Sequence, residues 1–442
     1  MPGVNFTLPY AMYSGYLYGD AHKTIHVFYW LQESQRDPRK DPIVFWFNGG
    51  PVCSSIAGSF TELGPLRVTA KDGSTLEANP WAWNQAAEQN AFVIGDFFRK
   101  FPKFRKHDYY LTGESYAGVY IPMMAKLLIQ NIKAGVVLNS NFKGIALGNA
   151  FLDAKLTYNT QTPLMYYHGI IGIDTFNKLN KACCGNKCTE ECNYFESLKM
   201  FSAANYMTDG TECGNMVDYV CNEVTMDDLT SIYNMYQSCY NLKRFQRRAR
   251  RLLPKLISQL DVDDTSNQAS TDNSNGFPCY SEAATTQYLR RKDVQMAMHV
   301  AKEWQQYHDG GKWVECSDPG FDHYKNTEVS MLPFFEWLLK QTDIAPIRVL
   351  LYAGTVDTVC NFMQVEQFAH RLADKLRLKT KTKRTRWKFE GAPAGFYERF
   401  TGNLDFLTIA GAGHMSPLDR PAPTLQMLSN FLLNNEYDKQ MA

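Results

Sequence analysis

The sequence predicts an α/β fold: a mixed, mostly parallel sheet flanked by helices, with a helical, disulfide-rich cap inserted into it. Three observations predict it. Continuous apolar runs such as Ile43-Val44-Phe45-Trp46-Phe47 and Val349-Leu350-Leu351-Tyr352-Ala353 read as strands buried on both faces. Helical stretches alternate with these runs, as parallel pairing requires. From about 150 to 292 the runs give way to helical, Tyr- and Cys-rich sequence. The chain therefore divides into a first core portion (1–149), a cap (150–292) and a second core portion (293–442).

Taken in order, residues 13–34 read as an antiparallel pair of strands, the second containing His26-Val27-Phe28-Tyr29-Trp30-Leu31. Residues 37–42 turn into the strand at 43–47, which ends in the small-residue loop Asn48-Gly49-Gly50-Pro51-Val52-Cys53-Ser54-Ser55. Residues 67–80 read as a surface hairpin around Asp72-Gly73, and 87–98 as a helix entered almost directly from Trp83. The apolar run Tyr109-Tyr110-Leu111 passes through Thr112-Gly113-Glu114-Ser115-Tyr116-Ala117-Gly118 into a buried helix, and 143–149 is the next strand. Inside the cap, the basic run 243–251 reads as a solvated helix face, and the polar run 261–276 as a flexible loop. Residues 243–276 are thus a place where proteolytic processing is expected. Strands at 348–354 and 404–410 end at Thr355-Val356-Asp357 and Gly411-Ala412-Gly413-His414.

The bulk composition is that of a globular protein: 442 residues, 45% hydrophobic and 21% charged. A net charge of +1 gives no electrostatic basis for a nucleic-acid or acidic-membrane partner. No apolar run reaches the ~18 residues that would span a bilayer. Of 11 cysteines, six (Cys183, Cys184, Cys188, Cys192, Cys213, Cys221) fall in one window. Mixed spacings without a nearby His favour disulfides over metal ligation, and hence an oxidising compartment. The sequon Asn5-Phe6-Thr7 marks Asn5 for glycosylation and supports the same address. Met1-Pro2-Gly3-Val4-Asn5 lacks the basic start and apolar core of an export signal, so the expectation is a chain given without its leader.

Ser115, Asp357 and His414 each follow a buried strand, at the sheet edge where open α/β proteins gather their catalytic groups. Small residues at Gly113, Ala117 and Gly118 suit the sharp strand-to-helix turn that exposes a nucleophilic hydroxyl. The chain order Ser, Asp, His is that of α/β-hydrolases. A hydroxyl nucleophile needs a base within hydrogen-bond reach, and that base needs a carboxylate to fix its tautomer.

On five stretches the chain resembles the serine carboxypeptidases, the family of lysosomal cathepsin A. They are Trp46-Phe47-Asn48-Gly49-Gly50-Pro51-Val52-Cys53-Ser54-Ser55, Thr61-Glu62-Leu63-Gly64-Pro65, Gly113-Glu114-Ser115-Tyr116-Ala117-Gly118, Asp357-Thr358-Val359-Cys360-Asn361 and Gly411-Ala412-Gly413-His414-Met415-Ser416-Pro417. The resemblance implies removal of C-terminal residues from peptides or proteins without metal or cofactor, in a lysosomal or secreted enzyme, and leaves a homodimer open. It implies Ser115 as nucleophile, His414 as general base and acid, and Asp357 as its orienting carboxylate. It further implies an oxyanion hole from the N–H groups of Gly50 and Tyr116, and binding of the substrate's terminal carboxylate by Trp46, Asn48, Glu62 and Glu114. Two adjacent carboxyl groups cannot both ionise cheaply, so one keeps a proton to donate to that carboxylate. By the same resemblance Cys53 pairs with Cys316, Cys183 with Cys192, Cys184 with Cys188 and Cys239 with Cys279. Cys213 and Cys221 remain to pair with each other, and Cys360 is left as a free thiol.

Three departures stand out. Val52 replaces a usual Gly, and a β-branched residue is strained if φ there is positive. Thr355 replaces an Asp that usually stands two positions before Asp357. After Ala86 a few dozen residues are missing, among them a core strand beside the one ending at Asn48. The expectation is a rebuilt sheet, a splice form or faulty gene model of a normal enzyme, or a catalytically inactive binding scaffold. An acyltransferase on the same fold is the other enzymatic alternative; the Glu62–Glu114 pair argues for the peptidase.

Overall fold

The computed structural model describes residues 1–20, 22–68, 73–85, 94–185, 192–200, 206–223, 230–238, 283–307, 312–317, 320, 323–341 and 346–440, and the backbone of 88–90. Ten strands form one sheet. Their spatial order is Met12–Tyr18, His26–Gln32, Glu88–Asn90, Ile43–Phe47, Tyr109–Ser115, Phe142–Ala150, Arg348–Gly354, Leu404–Ile409, Ala392–Phe400 and Thr380–Phe389. The six strands from Glu88–Asn90 to Leu404–Ile409 run parallel, and the flanking strands are antiparallel.

The apolar runs sort onto two faces because successive strand side chains point to opposite sides. Ile43, Phe45 and Phe47 join Ile121, Ala125 and Leu128 of the helix Ala117–Lys133 in one core. Val44 and Trp46 join Leu425, Leu428 and Phe431 of the helix Pro421–Leu432 in the other. Leu351 and Leu350 divide in the same way. At about 1.5–3 kcal/mol for each fully buried large side chain, this two-sided burial fixes both the register and the parallel core.

After residue 86 the sheet is rebuilt, the first of the expected outcomes, with a short strand in the slot beside Ile43–Phe47. Glu88–Asn90 fills that slot: the central residue Gln89 pairs with Gln32 on one side and Val44 on the other. Backbone polar groups on that edge of the strand would otherwise be stranded in the interior, and the three-residue segment pairs with Ile43, Val44 and Phe45. The helix expected over 87–98 is correspondingly replaced by this strand and a helix at Ile94–Lys100. The hairpin read at 67–80 is present as Leu66–Val68 paired with Leu76–Ala78.

Among the described residues between Ala150 and Arg348, no strand joins the main sheet. This segment carries helices at Ala154–Tyr167, Ile173–Cys184, Glu212–Asp218 and Ala283–Arg290. It also holds two small antiparallel pairs, Leu198–Met200 with Tyr206–Thr208 and Thr230–Ser231 with Asn234–Ser238. The Asp153 carboxylate caps the first of these helices by accepting from Leu156 N.

Cys53 bonds Cys316 across 263 positions of sequence. The other pairings need correction. Cys183 bonds Cys213, not Cys192, and Cys184 bonds Cys192, not Cys188. Neighbouring residues at the end of one helix point about 100° apart, so each cysteine meets a different partner. Cys183 meets the adjoining helix Glu212–Asp218, which leaves no Cys213–Cys221 bridge. Cys221 is buried, with its Sγ 3.9 Å from Thr162 Oγ1. Cys188, Cys239, Cys279 and the loop 243–276 lie outside the described residues.

The short strand can be tested through its backbone. Gln89→Pro removes the N–H in the middle of the slot and should destabilise the protein by about 3 kcal/mol or more. Gln89→Ala should cost far less. Urea unfolding of both variants measures the difference; equal stabilities would place 88–90 outside the sheet.

Candidate active site

Ser115 is the last residue of its strand, and the helix Ala117–Lys133 starts two positions later. Its φ of 59° is left-handed, a strained state for serine that throws the side chain off the end of the sheet. The turn is possible because its neighbours are small. A Cβ on Gly113 would stand 2.4 Å from Phe47 O. A Cβ on Gly49 would stand 2.5 Å from Ser115 Cβ and 2.6 Å from Tyr116 N. The loop 48–53 therefore lies directly on the turn at Ser115, and only glycine allows this at 49.

Asp357 is fully buried after the strand Arg348–Gly354, and its Oδ2 lies 2.7 Å from His414 Nδ1. The carboxylate also accepts from Val359 N (2.8 Å), Cys360 N (3.1 Å) and Asn149 Nδ2 (2.9 Å). Fixed donors of this kind hold the carboxylate, and the carboxylate orients the imidazole. The Cys360 thiol is within hydrogen-bonding reach of the Ser115 hydroxyl; burial, with the Asp357 charge beside it, pushes that thiol well above the usual range. Among the described residues no hydrogen bond joins Ser115 to His414; in unliganded sites such contacts commonly form only with substrate.

Several contributors were not read from sequence. Asn149 bonds Asp357 through Nδ2, and its Oδ1 accepts from Gly354 N (2.9 Å) and Ser416 Oγ (3.2 Å). Its place at the end of a buried strand, like the three triad residues, is the signal that could have found it. The segment Thr230–Ser238 straps across the loops that carry Asp357 and His414. His414 N donates to Tyr233 O at 2.7 Å, Thr358 N to Ile232 O at 3.2 Å, and Met235 N to Val356 O at 3.0 Å. The Tyr233 ring lies 4.9 Å from the His414 ring, centre to centre. Asp419 ties the strap down by accepting from Gly413 N (2.7 Å) and Asn234 Nδ2 (2.9 Å). Nothing in the strap's own sequence announces these contacts, because they are long-range and largely backbone.

Trp46, Asn48, Glu62 and Glu114 form one cluster. Trp46 Nε1 donates to Asn48 Oδ1 at 2.9 Å, which fixes the amide so that its NH₂ faces the carboxyls. Asn48 Nδ2 then donates to Glu62 Oε1 and Glu114 Oε1, each at 3.1 Å. Gly58 leaves the room: a Cβ there would stand 2.5 Å from Asn48 Oδ1. Both glutamates are buried, and their Oε2 atoms meet no donor among the described residues. Burial pushes the Glu62 carboxyl up, and burial together with the Glu62 charge pushes Glu114 well above the usual carboxylate range. A proton on one of the two supplies the donor that the pair lacks.

Among the described residues one cluster could ligate a metal: Glu366, His370 and Glu398, with ligand atoms within 4.8 Å of one another. Arg384 pairs with both of its carboxylates and offsets part of their charge.

The serine carboxypeptidase family model matches residues 2–89 and 84–434, in two segments that meet where the short strand lies. The chain is 34% identical to serine carboxypeptidase ctsa-4.1 of Caenorhabditis elegans, over 99% of this chain and 93% of that protein. It is 30% identical to the lysosomal protective protein of Mus musculus, over 99% and 93% of the two chains. Among solved structures it resembles Kex1(delta)p, a prohormone-processing carboxypeptidase from Saccharomyces cerevisiae. That match has a TM-score of 0.67 and 18% identity, and covers 96% of this chain and 91% of that one. With the triad order, the parallel sheet and a family match running almost end to end, the chain belongs to the serine carboxypeptidase family of α/β-hydrolase enzymes.

Proposed function

We propose that this chain removes the C-terminal residue of peptides or proteins through an acyl-enzyme on Ser115. The observation that carries the reading is the buried Glu62–Glu114 pair, held by Asn48 beside the nucleophile turn. A protonated carboxyl pair can donate to a substrate's terminal carboxylate, and an enzyme acting inside a chain has no use for it.

In this reading Ser115 Oγ attacks the carbonyl carbon of the last peptide bond and passes its proton to His414 Nε2. Asp357, bonded to Nδ1, stabilises the imidazolium that forms. The N–H groups of Gly50 and Tyr116 receive the oxyanion. His414 then protonates the leaving amine, the C–N bond breaks, and the freed amino acid departs. Water repeats the sequence on the ester, giving its proton to His414, and Ser115 Oγ recovers one as it leaves. Trp46, Asn48, Glu62 and Glu114 hold the substrate's carboxylate until the freed amino acid departs. Residues 150–292 serve as the cap over this site. Three disulfides among the described residues, an exposed Asn5 in its sequon and a lysosomal relative support an acidic, oxidising compartment, lysosomal or secreted, with N-glycosylation at Asn5.

Fluorophosphonate labelling and C-terminal release from an N-blocked dipeptide should both be lost in Ser115→Ala. Amidation of the dipeptide's C-terminus should lower kcat/KM by about tenfold or more, since it removes a charged hydrogen-bond partner. An enzyme that labels at Ser115 but treats acid and amide alike is not a carboxypeptidase.

The raised carboxyls give the pH dependence its sign. A group whose folded pKa is raised keeps its proton in the acid range, and its contribution to binding and to stability is lost as pH rises through that value. KM should therefore rise from acid to neutral pH, by about 10–100-fold for a lost charged hydrogen bond. In Glu114→Gln the amide donates at every pH, so steady-state KM should be nearly flat across the same range.

A further inference from the structure

Val52 has a φ of 63°, in the left-handed region where a β-branched side chain is disfavoured and glycine is not. It sits in the loop that carries Gly50 across the nucleophile turn, and two sets of contacts hold that loop. Its far end is fixed by the Cys53–Cys316 disulfide, by Ser54 N donating to Glu315 O at 2.7 Å and by Ser317 N donating to Val52 O at 3.4 Å. Its near end is held by Cys53 N donating to Gly49 O at 3.4 Å, by Asn48 N donating to Ser55 Oγ at 3.1 Å and, from outside the loop, by the Tyr120 side chain. The Tyr120 hydroxyl donates to Gly49 O at 3.1 Å and accepts from Val52 N at 3.3 Å, so it brackets the Gly50-Pro51 pair between its two partners. Tyr120 lies in the first turns of the helix that follows Ser115, and its ring packs on Tyr116 with centroids 5.4 Å apart. Ser115, the Tyr116 N–H and the Tyr120 clamp therefore lie within six residues of one strand-to-helix turn.

We propose that Tyr120 is a positioning residue for the oxyanion loop, and that Val52 makes this chain depend on it. The proposal rests on the reading of Gly50 as an oxyanion donor. A glycine at 52 would adopt the observed backbone freely, and the loop would keep its shape with or without the hydroxyl. Valine at 52 favours negative φ, so removing the hydroxyl lets the loop relax and carries the Gly50 N–H off the point where charge develops. Tyr120 touches no reacting atom; it acts by holding Gly49 and Val52.

The test compares the native chain, Tyr120→Phe, Val52→Gly and the double variant, each checked for native near-ultraviolet circular dichroism. Two rates are read: labelling of Ser115 by a fluorophosphonate, which forms a tetrahedral adduct without any peptide, and kcat on an N-blocked dipeptide. Tyr120→Phe should lower both by about tenfold or more, part of the loss expected when an oxyanion donor is displaced. KM should stay within about threefold. In the Val52→Gly background the same change should cost no more than about threefold. An equal loss in both backgrounds, or no loss in either, overturns the dependence on Val52. Loss of labelling in this pattern by an enzyme that releases no C-terminal residue sustains the clamp and overturns the carboxypeptidase reading. Normal hydrolysis with labelling indifferent to Tyr120 does the reverse, and a folded native chain that never labels overturns both.

Discussion

The constraint on which the rest depends is the contact between residue 49 and Ser115. With a Cβ at 49 placed 2.5 Å from the Ser115 Cβ, the loop 48–53 and the nucleophile turn can meet only through glycine. That approach delivers three functions from one loop. Asn48 at its start reaches the two glutamates, Gly50 in its middle presents an N–H, and Cys53 at its end ties it to Cys316. The loop is the C-terminal extension of Ile43–Phe47, and Ser115 ends the neighbouring parallel strand, with Phe47 paired to Gly113. The sheet register thus sets the distance between nucleophile and loop before any side chain is chosen.

Electrostatics follow from the same placement. Glu114 is one residue from the nucleophile on a buried strand, so its side chain points away from Ser115 into the second core layer. There it meets Glu62, the residue capping the helix that follows the loop. Two carboxyls in one apolar layer with a single shared amide donor cannot both be charged, and on the proposed reading the pair is a proton-dependent receptor for a third carboxylate. On the other side of Ser115, Asp357 keeps its charge company differently, with backbone N–H groups and Asn149 around it. The carboxyl group thus meets one shared amide donor in one place and three donors in another.

What was legible in the sequence was whatever is written locally. The strands at 43–47 and 348–354 are continuous apolar runs, and the turn at Ser115 carries its own small residues, so both could be read directly. The strand at Glu88–Asn90 could not, because Glu, Gln and Asn have no strand pattern; the slot between Gln32 and Val44 imposes the conformation. The first part of the helix read at 87–98 failed for that reason, while 94–98 is helical. The Cys183 and Cys184 partners failed because adjacent cysteines are alike in sequence and differ only in where the helix turns them. The Tyr233 strap was missed since its grip on His414 and Thr358 runs through main-chain atoms that any residue would carry.

Val52 joins the local and the long-range readings. Sequence alone raises the question of strain, because a β-branched residue stands where glycine is usual, and the backbone answers that φ is positive. A strained residue persists only where its surroundings over-determine it. Here they do so on both sides: a disulfide and paired backbone beyond Val52, and the Tyr120 hydroxyl before it. The shortened strand is the same kind of case. Three residues suffice at 88–90 because pairing on both edges supplies what the segment's own propensity does not. In both places a local sequence that disfavours the observed backbone is held by contacts made elsewhere, and the ends of the strands stay in register.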